Sequence, residues 1–108
     1  MTIEQLLNIL EQFPEDSMTL YSVGRKYFDM GEAHYEEALM FLLRAVKAND
    51  KHIMSYYDLG NIYQDMGNFA LAKVMYQKGL EMIPLVGPGE GQDLKPDLEN
   101  ALEELDSF

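Results

Sequence analysis

Leu20, Val23, Gly24 and Tyr27 fall at spacings i, i+3, i+4 and i+7, and Tyr56, Leu59, Gly60 and Tyr63 repeat that order. Apolar or small residues so spaced share one face of an α-helix, so each set predicts a helix with one buried side. A second set follows each of them: Ala38, Leu42, Ala45 and Val46 after the first, Ala72, Tyr76, Gly79 and Leu80 after the second. Gly31 and Gly67 stand between the paired sets, where glycine ends a helix, and Asn68 is placed to cap the helix that follows it. The pattern reads as two helix-turn-helix units.

The two units superpose on one another. Gly24 and Gly60, Tyr27 and Tyr63, and Gly31 and Gly67 are each 36 residues apart, whereas Ala38 and Ala72, and Ala45 and Gly79, are 34 apart. The first unit therefore carries two extra residues between Gly31 and Ala38, in a turn. A glycine inside a helix costs about 1 kcal/mol relative to alanine, so Gly24, Gly60 and Gly79 need a packing reason. Close approach of two antiparallel helices supplies one, with the large Tyr27 and Tyr63 filling the space beside the crossing.

This order of large and small residues resembles the tetratricopeptide repeat, a helix-turn-helix unit of about 34 residues. In the second unit Tyr56, Leu59, Gly60, Tyr63, Gly67, Phe69, Ala72, Tyr76 and Pro84 fall on pattern positions, and Gly79 departs from a usual alanine. The first unit is looser. Leu20 and Leu42 replace aromatic residues and Asp50 stands where proline would close the repeat, but Gly24, Ala38 and Ala45 are intact. The resemblance implies an all-α, right-handed helical solenoid with two repeats, 17–52 and 53–84.

The flanks read as end caps of a single domain spanning 1–108. Thr2 with Gln5 makes a capping box, and Ile3, Leu6, Leu7 and Leu10 give an apolar face to an N-terminal helix at 3–13 that Phe13-Pro14 closes. A C-terminal helix at 94–106 is striped by Leu94, Leu98, Ala101, Leu102 and Leu105 and backed by acidic residues, which suits the terminus of a repeat array. Between them lies a Gly-rich loop at 85–93, by composition a flexible tether.

Composition narrows the function. Eight Lys and Arg against nineteen Asp and Glu give a net charge of −11, the wrong field for a nucleic acid or an anionic membrane surface. No cysteine is present, which removes disulfides and thiolate chemistry. The Met-Thr-Ile-Glu start has no basic leader and no apolar run is long enough to span a bilayer, so the expectation is a soluble, cytoplasmic protein.

Catalytic and metal patterns are missing. His34 and His52 are the only histidines, and His34 with Glu37 supplies two ligands at most, so His34 is expected to be an exposed turn residue. Gly87, Gly89 and Gly91 are not followed by Gly-Lys-Ser/Thr and read as linker. Neither an enzyme nor a cofactor is expected. Met30, Met66, Met75 and Met82 read as core or cap filler.

A second stripe runs along the first helix of each unit: Met18, Tyr21, Arg25 and Phe28, then Met54, Tyr57, Asn61 and Gln64. Because the other face meets the paired helix, this stripe is expected to look away from it. By resemblance to the family, these positions line a concave groove holding a partner's peptide, with Arg25 and Asn61 fixing its backbone or an acidic group. The Lys/Asn/Arg carboxylate clamp of some members is not implied, since Asn61 alone matches it and Tyr21 stands where a lysine would. The expected function is a non-catalytic protein–protein interaction module whose partner is apolar with basic character. The alternative is a homo-oligomer or a structural subunit of a larger complex.

Overall fold

The computed structural model describes residues 1–107. Its regular structure is all helical: α1 (Ile3–Gln12), α2 (Ser17–Asp29), α3 (Tyr35–Ala48), α4 (Ile53–Asp65), α5 (Phe69–Met82) and α6 (Lys95–Asp106), with single 3-10 turns at Glu32–His34, Ile83–Leu85 and Gln92–Leu94. The chain divides into two compact units, Met1–Asp50 and Lys51–Phe108, at the junction of the two repeats.

In the first unit α1 opens on the expected capping box: Thr2 accepts from the Gln5 amide while Gln5 accepts from the Thr2 amide. Its buried Leu6 and Leu10 join Leu20, Val23, Phe41 and Ala45 in one core, with Ile3, Ile9, Tyr21 and Tyr27 packed at the margin. Asp16 precedes α2 and accepts a hydrogen bond from the Thr19 hydroxyl. The α2–α3 crossing is close because Gly24 has no side chain: a Cβ there would lie 2.7 Å from Leu42 Cγ. Gly31 follows the end of α2 at φ +98°, the left-handed region glycine occupies without strain.

The two-residue insertion of the first repeat is taken up by the 3-10 turn at Glu32–His34. His34 is not the exposed turn residue expected from sequence. Its ring stacks on Tyr27 at 5.8 Å and its Nδ1 lies 2.8 Å from Glu37 Oε2, leaving it half-buried. That hydrogen bond is the main reason the Glu37 carboxyl is held below its ordinary range.

The second unit repeats the pairing. Ile53, Leu59, Ile62, Ala72 and Tyr76 are fully enclosed. Asn68 caps α5 by accepting from the Leu71 amide, as its position in the sequence indicated. His52 precedes α4, hydrogen-bonded to Ser55 Oγ at 2.6 Å, and burial pulls its imidazole pKa down. Of the methionines read as filler, Met75 is core, but Met30 and Met66 sit at the ends of α2 and α4 about half exposed, at 53% and 48%.

The Gly-rich connection is more ordered than its composition implies. Gln92 donates to the Val86 carbonyl and the Gly87 amide donates to Glu90, which folds the segment on itself. Gly91, at φ +99°, lies so close to α4 that a Cβ would stand 2.6 Å from Ile53 Cβ. The loop thereby delivers Leu94 and Leu98 to the core formed with Ile53, Ala72 and Tyr76.

Candidate functional site

In the first unit the stripe runs along α2. Met18 is 55% exposed, the most open of its apolar members. Tyr21 is half-buried against the core formed by Leu6, Leu10 and Leu20. Arg25 Nε lies 3.2 Å from Asp29 Oδ1, one turn on, and its guanidinium sits 5.2 Å from the Phe28 ring centre. Phe28 in turn meets Tyr35 edge to face at 5.6 Å. A planar guanidinium held by a carboxylate and an aromatic face is fixed in direction.

In the second unit the stripe departs from expectation. Tyr57, Asn61 and Gln64 do not look away from the paired helix, because they meet Tyr76 of α5. The cause is Gly60. With no side chain at that crossing the Tyr76 ring lies directly against α4, where a Cβ on Gly60 would stand 2.6 Å from its Cδ1. The hydroxyl emerges between Asn61 and Gln64, one and four residues on, and donates to Asn61 Oδ1 at 2.6 Å and Gln64 Oε1 at 3.0 Å. The Tyr57 ring lies 6.1 Å from that of Tyr76, and Met54 packs at the margin of the same core.

A phenol has one hydrogen, shared here between two carbonyl oxygens, and the NH2 groups of Asn61 and Gln64 remain as donors. Burial is the largest reason the Tyr76 phenol titrates above its ordinary range, followed by Tyr57, Asp65 and Glu104. The hydroxyl therefore stays protonated. Sequence periodicity marked Tyr76 only as a packing residue. The signal available was its identity, since a buried tyrosine, unlike phenylalanine, needs a partner for its hydroxyl. Tyr76→Phe is expected to cost about 1 kcal/mol in thermal unfolding, a typical net value for a hydrogen bond whose acceptors regain water. The side-chain amide resonances of Asn61 and Gln64 should move while the rest of the spectrum is kept.

Among the described residues no group of three His, Cys, Asp or Glu side chains is placed to hold a metal ion. No described helix is long and apolar enough to cross a membrane.

Paired helices, small residues at their crossings and a repeated register define a helical-repeat protein. The repeat itself is identified by sequence: residues 55–84 match the model of the tetratricopeptide repeat family, so the second helical pair is a tetratricopeptide repeat. The match supports an interaction or scaffold module. No curated protein matches the sequence. Among solved structures the chain is similar to the crystal structure of MamA, at 19% identity and a TM-score of 0.44, over 97% of this chain and 85% of that one. At that level the likeness says nothing further about this chain.

Proposed function

We propose that the protein is a non-catalytic interaction module in which the first helix of each repeat offers a face to a short segment of a partner protein. The observation that carries this reading is the stripe that recurs in register on α2 and α4. It supplies apolar area from Met18, Tyr21, Met54 and Tyr57, and donors from Arg25, Asn61 and Gln64 that are held in place by Phe28, Asp29 and Tyr76. Donors fixed in advance cost a bound segment less ordering entropy than mobile ones.

The test removes one stripe group from each unit; Gln64→Ala also takes away one of the two acceptors of the buried Tyr76 hydroxyl, and Asn61 keeps the other. A Met18→Ala/Gln64→Ala variant is expected to keep its helical signal and lose at least about tenfold in affinity for a partner captured by the wild-type chain, the scale of a stripe that contributes a few kcal/mol. Undiminished affinity in the folded variant removes the stripe as the site. A second reading, self-association or a structural role, is favoured by apolar residues open on the second helices: Met40 and Leu43 on α3, Leu71 and Val74 on α5. A monomeric mass by sedimentation at high concentration would exclude the self-associating form.

A further inference from the structure

The inference concerns the partner's chemistry at the second unit, and it rests on reading the α4 stripe as a binding face. The C-terminal helix α6 is not only an end cap there. Leu98 is fully buried, with both methyls 3.2 Å from where a Cβ on Gly79 would be, and Leu98 and Leu105 share one core with Tyr76, Met54 and Tyr57. At its far end Asp106 pairs with Lys73 of α5 at 3.3 Å.

These contacts fix the rotation of α6. Successive helical residues turn by about 100°, so with Leu105 inward, Asp106 and Glu104 occupy opposite edges of the helix. Asp106 faces Lys73 on one edge, which leaves Glu104 on the opposite edge of the helix. Glu104 acts electrostatically on the Tyr76 hydroxyl. Glu104 is exposed and makes no ion pair among the described residues.

We propose that Glu104 on α6 completes the partner-binding face of α4, and that this part of the face takes an arginine or lysine side chain of an extended partner segment. The NH2 groups of Asn61 and Gln64 suit main-chain carbonyls of such a segment, Met54 and Tyr57 suit a neighbouring apolar side chain, and the carboxylate suits the cation. Charge complementarity favours this occupant. The second unit sets four lysines against ten carboxylates, and Lys73, the lysine paired on α5, is already engaged by Asp106. An acidic segment would meet uncompensated repulsion at the same place.

The test titrates the full chain with three short capped peptides that alternate leucine with arginine, glutamine or glutamate. The side-chain amide signals of Asn61 and Gln64 are followed in each titration. The arginine peptide is expected to shift both amides and to bind more tightly than the glutamine and glutamate peptides. Glu104→Gln should weaken the arginine peptide by about threefold, in the range of an exposed ion pair, and leave the glutamine peptide unchanged. Glu103→Gln, one residue away on the outer face of α6, should change neither.

Equal loss in Glu104→Gln and Glu103→Gln would mean diffuse attraction to an acidic chain and would overturn the assignment of Glu104. Shifts at Asn61 and Gln64 that are the same for all three peptides would overturn the cation preference while leaving the stripe as a binding face. Peptide binding with no shift at either amide, or no shift with any peptide at millimolar concentration, would overturn both.

Discussion

Gly60→Ala is expected to destabilise the protein by about 2–3 kcal/mol, the upper part of the range for overpacking a filled core. That corresponds to a fall of roughly 10 °C in Tm for a chain of this size. The added methyl would overlap the Tyr76 ring, lying 2.6 Å from Cδ1 and 2.7 Å from Cζ. An exposed or flexible neighbour would swing aside. Tyr76 does not, because its ring is rigid, it has no solvent exposure, and its hydroxyl is fixed at the far side by Asn61 and Gln64. Relief requires α4 and α5 to move apart, which loosens Leu59, Ile62 and Ala72 along with the ring.

Gly67→Ala is the useful comparison. It sits at φ +81° with nothing within 4 Å of a Cβ, so its cost is backbone strain alone, about 1 kcal/mol. A melt of Gly60→Ala no lower than that of Gly67→Ala would mean that the α4–α5 crossing is not close. The same substitution should displace the hydroxyl and shift the Asn61 and Gln64 amides, which ties a packing residue to the binding face.

The helices were legible because their cause is local. Small residues recur where the crossings lie, and Gly31, Gly67 and Asn68 act on the turns next to them. What periodicity does not carry is which side chain crosses over to which. Tyr76 reaches Asn61 across 15 residues of sequence and Gln64 across 12, and neither spacing is a helical repeat. The stripe residues lie on α2 and α4, yet Asn61 and Gln64 are engaged by Tyr76 through their side-chain carbonyl oxygens. Gly79 shows the same limit. Periodicity assigns it to the paired helix alone, but its neighbours are Leu98 of α6 as well as Tyr56 of α4, at 3.2 and 3.3 Å. His34 lies in the inserted turn but is half-buried, because its ring stacks on Tyr27, a contact that turn composition does not encode.

Leu98→Ala should cost about 3 kcal/mol, within the usual range for removing a buried leucine. Two features place it above the bottom of that range. Leu98 has no exposed surface, and one side of its pocket is Gly79, which has no side chain to lean into the space left behind. The cavity term is therefore retained in full. The remaining anchors are Leu94 just before α6 and Leu105 within it, slightly exposed at 7% and 8%, the partly buried Ala101 and Leu102, and the solvent-exposed pair Lys73–Asp106, worth at most about 1 kcal/mol. Such a helix opens before its unit does, so amide exchange in residues 95–106 should accelerate far more than exchange in α4 and α5. Uniform acceleration across the second unit would show instead that α6 folds as one body with the repeat. Release of α6 carries Glu104 away from Tyr76. The variant should accordingly lose its preference for an arginine-bearing peptide while the stripe of α2, whose contacts lie within the first unit, keeps its structure.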